Sequence, residues 1–231
     1  MGTVNKIYLL HGWSDSTQKW GTLVNLLEKR GFKVHLPRIP GLTEPLKEEW
    51  KLEDYVSWLK NLLENENKVI LVGHSNGGRI SLAFSLKYPE KVEHLVLIDS
   101  AGVYHNHRGL RFKRFLFKTL AFAGKKITRS ERLRNVLYKL AREKDYQQAD
   151  PILRKTLTNL IKIDLVPHLT NLKVATLIIW GENDKATPLQ DGLLMHQKIT
   201  NSVLKIIPEA RHSPQFTHPD TVAKLIAEGV K

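Results

Sequence analysis

The sequence predicts an α/β fold built on a mostly parallel sheet of about six strands. Short apolar runs rich in β-branched residues alternate with stretches of helical periodicity, which is typical of parallel strands joined by helices. A glycine-flanked serine follows one of these runs, and one long helical insertion interrupts the alternation. The predicted strands are 5–10, 32–36, 68–73, 92–98, 174–180 and 203–207.

Five stretches are predicted to be helices that cover the two faces of the sheet. The clearest is 52–64, where apolar side chains recur every three or four residues and define one face of a helix. The predicted helices are 18–29, 52–64, 78–87, 190–198 and 219–228.

A sharp turn with a serine at its apex joins the third strand to the next helix. Residues 73–77 read Gly-His-Ser-Asn-Gly and follow an apolar run, the sequence context of a nucleophile elbow. Glycine suits both flanks because a Cβ there would collide with the neighbouring strand or helix. A plain strand-to-helix connection can have the same small polar residues, so the other strand ends decide between these interpretations.

Polar residues suited to catalysis follow three further strands. The first strand runs into His11 and Gly12, the strand at 174–180 leads to a loop with Asp184, and the last strand leads to His212. Serine, aspartate and histidine in this chain order differ from the orders of chymotrypsin and subtilisin. The pattern indicates a catalytic triad.

Four motifs, spread over nearly the whole chain, resemble the α/β-hydrolase fold superfamily of serine esterases and lipases. They are LLHGW, LVGHSNGG, LIIWGENDKATP and PEARHSPQFTHP, each at a strand end and in the family's order. The resemblance implies Ser75 as nucleophile, His212 as general base and Asp184 as its orienting carboxylate. It also implies an oxyanion hole formed by the backbone N–H groups of Trp13 and Asn76.

The chain departs from the family pattern at three places. Arg38 stands where an aspartate is usual, and Arg211 precedes the histidine where glycine is usual. The antiparallel hairpin that usually precedes the His-Gly strand is expected to be absent. None of these positions carries the implied chemistry.

The insertion resembles the cap that members of this superfamily place over the active site. We expect a core formed by residues 1–101 and 170–231, with a helical cap at 102–169. Phe112 and Phe115 belong to an apolar set inside the insertion. Together with His11 and Gly12, they are the candidate residues of the substrate pocket.

Most of the net positive charge falls in the insertion. The chain has a formal net charge of +13, and the segment 101–145 contains thirteen basic and three acidic residues. We expect a solvated outer face of the cap, since such faces are common and favour solubility. The alternative is peripheral contact with anionic membranes or acidic substrates. Nucleic-acid binding is not expected, because no nucleic-acid-binding motif is present.

Composition limits the remaining possibilities. The 231 residues, 42% of them hydrophobic, suit one well-buried domain, acting as a monomer or homodimer. The chain lacks cysteine, so disulfides and thiolate chemistry are excluded. No long apolar stretch or signal peptide is found, and we expect a cytoplasmic protein. No metal and no cofactor is expected.

Several other polar residues have less direct interpretations. Asp99 ends a strand and is an alternative triad acid, although the resemblance favours Asp184. His74 is expected to be a packed, hydrogen-bonded side chain, and Asp164 to cap a helix or pair with arginines. His218 precedes a proline and is expected at a helix entrance.

The predicted activity is hydrolysis of carboxylic esters with small to medium acyl chains, including lactones, through an acyl-enzyme. The same motifs are shared by thioesterases and by the C–C hydrolases that act on meta-cleavage products. A further alternative is a ligand-binding protein of this fold with slow turnover. A serine at the elbow argues against haloalkane dehalogenase or epoxide hydrolase chemistry, since the resembling families use aspartate there.

Overall fold

The computed structural model describes residues 5–13, 17–105 and 151–230. In this part of the chain six strands form a single sheet in the order β2-β1-β3-β4-β5-β6, and every neighbouring pair is parallel. The predicted α/β fold and its parallel sheet are therefore confirmed. The strands are β1 (Lys6–Leu10), β2 (Lys33–His35), β3 (Val69–His74), β4 (Val92–Ile98), β5 (Ala175–Gly181) and β6 (Ser202–Ile207).

Helices connect the strands close to the predicted positions. The predicted helix at 18–29 is divided, because a 3-10 turn at Thr17–Trp20 precedes the α-helical part. His218 lies at the N-terminus of the last helix, as expected. None of the helices in the described ranges is long and apolar enough to cross a membrane. Within the described ranges the α-helices are α1 (Gly21–Glu28), α2 (Leu52–Leu62), α3 (Asn76–Lys87), α4 (Pro151–Ile161), α5 (Leu189–Lys198), α6 (Pro214–Thr217) and α7 (Pro219–Gly229).

Both faces of the sheet are covered by apolar packing. Alternate residues of β1 belong to different core clusters: Ile7 and Leu9 pack with α1 and α7, whereas Tyr8 and Leu10 pack with α2 and α3. The central strands β3 and β4 are almost continuous apolar runs, as expected for parallel strands buried on both faces. This packing fixes the strand ends from which the candidate catalytic residues project.

The chain segment that precedes β5 is packed onto the same core. Leu160 and Leu169, which lie in α4 and in a 3-10 turn, are buried in the cluster that contains α2 and α3. The Arg79 guanidinium donates a hydrogen bond to the Leu160 carbonyl, near the C-terminal end of α4. Asp164 accepts the N–H groups of Val166 and Tyr104, although the N-cap residue of the 3-10 turn is Leu165.

The larger part of the predicted cap lies outside the described residues. Residues 106–150 include Phe112, Phe115 and most of the basic residues of the insertion. The boundaries of the cap at 102–169, and the place of the two phenylalanines in a substrate pocket, stay predictions.

Candidate active site

Ser75 occupies a strained position between β3 and α3. Its backbone has φ 51° and ψ −117°. This positive φ lies in the left-handed region, which residues other than glycine rarely adopt. Such strain persists only where the surrounding structure enforces it, and it is concentrated at functional sites. Ser75 is partly exposed rather than buried.

Close backbone packing explains the glycines around Ser75. A Cβ on Gly77 would overlap the carbonyl of Leu10, at the end of β1. A Cβ on Gly73 would lie 2.6 Å from the Cα of Gly78, in the first turn of α3. These contacts hold the helix directly against the strand ends, so larger side chains would displace the serine.

Ser75, His212 and Asp184 form a continuous hydrogen-bonded series. His212 Nε2 lies 3.1 Å from Ser75 Oγ, and His212 Nδ1 lies 2.7 Å from Asp184 Oδ2. A proton on Nδ1 is donated to the carboxylate, which leaves Nε2 as an acceptor for the serine hydroxyl. The structure therefore brings together the three residues that the sequence indicated.

Four hydrogen bonds hold the Asp184 carboxylate. The N–H groups of Ala186 and Thr187 donate to Oδ1 at 2.7 and 3.2 Å, while the Thr187 hydroxyl donates to Oδ2 at 2.6 Å beside His212. Burial alone would raise the pKa of Asp184, but hydrogen bonds from His212 and Thr187 outweigh it. The pKa of this carboxyl therefore lies below its ordinary value, which favours the ionised form.

Asp99, the alternative acid, lies nearby in a different environment. It is fully buried at the end of β4, and its Oδ1 accepts the Gly181 N–H at 2.8 Å. Its Oδ2 has no hydrogen-bond partner among the described residues. Burial, with a smaller contribution from the charge of Asp184, raises the pKa of Asp99 to about 8 although the Gly181 N–H favours the charged form. The structure thus gives Asp184, rather than Asp99, the hydrogen bond to His212.

His74, next to the nucleophile in sequence, contacts the loop after β6 that contains His212. Its Nε2 donates to the backbone carbonyl of His212 at 2.7 Å, and its ring makes an edge contact with Trp20. Ring nitrogens of His74 and His212 and a carboxylate oxygen of Asp99 lie within 4.8 Å of one another. Sequence spacing gave no sign of this grouping, since the three residues come from separate strand ends.

The loop that follows β1, which we call the oxyanion loop because it contains the predicted donor Trp13, passes directly beside the nucleophile. A Cβ on Gly12 would lie 3.0 Å from the Ser75 Cβ and from His74 Nδ1, so only glycine lets the loop approach this closely. Trp13 follows it and is partly buried, while Asn76 is the first residue of α3. The backbone N–H groups of both residues therefore lie in segments that border Ser75.

His11 fixes the oxyanion loop to the loop that follows β2. Its ring is fully buried, with Nδ1 2.9 Å from the Gly12 carbonyl oxygen and Nε2 3.3 Å from the Thr43 hydroxyl. The same hydroxyl accepts the N–H of Ile39 at 2.8 Å. These contacts connect two loops at the carboxyl edge of the sheet.

Sequence reasoning missed one residue that contacts the triad. Thr187 lies between Asp184 and Pro188 in the loop after β5. Its hydroxyl is also 3.3 Å from His212 Nδ1. A threonine in a loop carries no periodicity or charge that would have indicated this role. Only the folded loop shows it.

Comparison with known proteins identifies the family to which this fold belongs. The chain is 26% identical to the pimeloyl-[acyl-carrier protein] methyl ester esterase of Wigglesworthia glossinidia brevipalpis, across 100% of this chain and 95% of that protein. It is 25% identical to the 2-hydroxy-6-oxo-6-phenylhexa-2,4-dienoate hydrolase of Burkholderia cepacia, across 93% of this chain and 81% of that protein. A bromoperoxidase structure from Bacillus anthracis superimposes with a TM-score of 0.73 at 24% identity, across 99% and 92% of the two chains, and shares the fold. The elbow serine and the parallel sheet are consistent with the family model described as the alpha/beta hydrolase fold, which matches residues 5–219. The chain therefore belongs to the α/β-hydrolase fold family.

Proposed function

We propose that this chain is a serine hydrolase that cleaves carboxylic esters of small to medium acyl chains, lactones included, through an acyl-enzyme. The observation that carries the proposal is the pair of hydrogen bonds that joins Ser75 to His212 at 3.1 Å and His212 to Asp184 at 2.7 Å. A simple ester requires a nucleophile, a base and an oxyanion hole, and each has a candidate at this site.

In the first half of the reaction, Ser75 Oγ attacks the carbonyl carbon of the ester. His212 Nε2 accepts the hydroxyl proton as the bond forms, while Asp184 stabilises the resulting imidazolium. The oxyanion is stabilised by the N–H groups of Trp13 and Asn76, with each such donor worth about 3 kcal/mol of barrier. Collapse of the tetrahedral intermediate breaks the ester bond, and His212 passes its proton to the leaving alkoxide.

In the second half, water replaces the alcohol. His212 takes a proton from the water as its oxygen attacks the acyl carbon, and a second tetrahedral intermediate forms. Its collapse returns the proton to Ser75 Oγ and releases the carboxylic acid. No cofactor enters these steps.

The relatives support an ester substrate and one competing reaction. The Wigglesworthia relative is named for the cleavage of a methyl ester, which matches the proposed class. The Burkholderia relative is named as a hydrolase of 2-hydroxy-6-oxo-6-phenylhexa-2,4-dienoate, a compound whose name contains no ester. C–C hydrolysis is therefore the second candidate function.

A substrate panel tests the proposal. Wild-type protein and Ser75→Ala are assayed with p-nitrophenyl esters of increasing acyl length, lactones, an acyl thioester and a 2-hydroxy-6-oxo dienoate. We expect rapid turnover of the shorter esters that disappears in Ser75→Ala. Preferential turnover of the dienoate would support the C–C reaction instead. A stoichiometric burst without further turnover would indicate a ligand-binding protein of this fold.

A further inference from the structure

The Thr187 hydroxyl lies at the point where the acid and the base of the triad meet. It is 2.6 Å from Asp184 Oδ2 and 3.3 Å from His212 Nδ1, while those two atoms are 2.7 Å apart. The three polar atoms therefore form a closed triangle. In the proposed reaction this hydroxyl neither accepts a proton nor attacks the carbonyl carbon.

The single proton of this hydroxyl has two acceptors within reach. One is the Asp184 carboxylate at 2.6 Å, and the other is the backbone carbonyl of Asp99 at 3.1 Å. The carboxylate is nearer and charged, and charge-assisted hydrogen bonds are shorter and stronger than neutral ones. The proton is therefore directed to Asp184, on the same oxygen that receives the Nδ1–H of His212.

The backbone around Thr187 holds the hydroxyl in place. The Thr187 N–H donates to Asp184 Oδ1, and the Thr187 carbonyl accepts the indole N–H of Trp180 at 3.0 Å. Trp180 is fully buried in β5, so this contact ties the loop to the core. A hydroxyl fixed in this way loses little freedom when it bonds the carboxylate, which is the condition for preorganisation.

We propose that Thr187 is a positioning residue whose hydroxyl orients Asp184 Oδ2 toward His212. The same hydrogen bond reduces the attraction of the carboxylate for the imidazole proton. This inference rests on the proposed function of the triad. Two donors on one carboxylate oxygen share its negative charge. Removal of the hydroxyl leaves the whole charge facing His212, so the protonated imidazole becomes more stable and the free base is formed only at higher pH.

Other titratable groups near His212 belong in the design of the test. Asp99 titrates in the working range, because burial raises its pKa to about 8. The profiles are therefore repeated in an Asp99→Asn background, where the effect of Thr187 should persist. In the described part of the chain, the titratable groups close to His212 are Asp184 after β5, Asp99 after β4 and His74 at the end of β3. The exposed Lys185 and Arg211 are the sequence neighbours of Asp184 and His212.

Three variants separate the hydroxyl from the shape of the side chain. Thr187→Val removes the hydroxyl and keeps the branching, whereas Thr187→Ser keeps the hydroxyl. Thr176→Val is the matched control, since the buried Thr176 hydroxyl donates to the Val174 carbonyl at 2.8 Å near the opposite end of β5. Thr187→Ala replaces the valine variant if circular dichroism shows that valine prevents folding.

The first readout is the pH dependence of kcat/KM for p-nitrophenyl acetate. In Thr187→Val we expect the midpoint of the acidic limb to rise by about 0.5 to 1 pH unit, because a hydrogen bond to a charged group has been removed. Thr187→Ser and Thr176→Val should keep the wild-type midpoint. A lower kcat with an unchanged midpoint in Thr187→Val would overturn the inference, since a purely structural role predicts that result.

The second readout requires no turnover. The Nδ1 proton of His212 is followed by NMR during a pH titration of the substrate-free protein, and its midpoint should be displaced upward in Thr187→Val. If the wild type cleaves no ester but this displacement occurs, the proposed function fails and the role of Thr187 stands. If esters are cleaved and neither midpoint moves, the role of Thr187 is wrong and the proposed function stands.

Discussion

Two buried carboxyl groups, one at the end of β4 and one in the loop after β5, have opposite charge preferences. Asp184 receives four hydrogen bonds, and its pKa lies below the ordinary value although burial alone would raise it. Asp99 accepts one backbone N–H, and burial raises its pKa to about 8. Near neutral pH one charged carboxylate therefore faces His212, which suits a base that must become an imidazolium during the reaction.

Substitution of each acid by its amide should separate the two roles. In Asp184→Asn we expect kcat to fall by about four orders of magnitude, because the imidazole loses its orienting partner and its correct tautomer. Asp99→Asn should change kcat only mildly. Steady-state assays with one p-nitrophenyl ester measure both. A reversal of the two effects would assign the triad acid to β4.

Asp99 should also leave a signature in the pH dependence of stability. Because its pKa is raised from 3.8 to about 8 on folding, the folded state retains a proton that the unfolded state has lost between these values. Folded Asp99 therefore costs stability as the pH rises through this window. Asp99→Asn removes this cost. The free energy of unfolding of the variant, relative to that of the wild type, should therefore increase with pH and exceed it by about a few kcal/mol at pH 8.

Urea unfolding of wild type and Asp99→Asn at pH 5, 6, 7 and 8 measures this difference. A stability difference that stays constant with pH would show that Asp99 is ionised in the folded protein at neutral pH.

At the scale of elements, the elbow depends on how closely α3 approaches the end of β1. Gly77 leaves no space for a Cβ, since the carbonyl carbon of Leu10 would be only 2.5 Å away. Gly21 differs, because a Cβ at the start of α1 would meet nothing within 4 Å. The two helical glycines therefore provide a matched pair for testing the contact.

Gly77→Ala should destabilise the protein by about 3 kcal/mol or more, because backbone atoms of β1 must move to accommodate the methyl group. Gly21→Ala should be neutral or stabilising by up to about 1 kcal/mol, since alanine restricts the unfolded chain. Urea unfolding compares both with the wild type. Equal stability of the two variants would contradict the close packing assigned to the elbow.

The strand ends were predictable from sequence because each is a local apolar run that stops at glycine or a polar residue. Ser75, Asp184 and His212 follow such runs, so motif order was sufficient to indicate them. The start of α1 was not predictable, because apolar periodicity does not distinguish a 3-10 turn from an α-helix. The contacts of Thr187 depend on packing between separate loops, which no local pattern encodes.

At the scale of the whole molecule, a parallel sheet gathers the candidate site at one edge. The loops after β1, β3, β4, β5 and β6 all leave from the carboxyl ends of their strands, where ligands bind in open α/β sheets. The chain also has a net charge of +13, and most of it lies in the insertion between β4 and β5. The field of this charge extends about 10 Å at 0.1 M salt.

Salt dependence tests whether the positive charge assists substrate capture. We expect kcat/KM for a neutral and an anionic ester to respond alike between low and high salt, because the basic residues are interpreted as a solvated face. Cosedimentation with anionic vesicles at physiological salt should likewise be absent. A steep loss for the anionic ester alone would assign the charge a role in capture.

Fluorophosphonate labelling followed by mass spectrometry tests the central claim most directly, since only an activated serine reacts rapidly with this probe. The geometry around Ser75 predicts one modified residue, Ser75, with labelling abolished in Ser75→Ala and strongly slowed in Asp184→Asn. Labelling at a different residue, or none on folded protein that still hydrolyses esters, would contradict the assignment of Ser75 as the nucleophile.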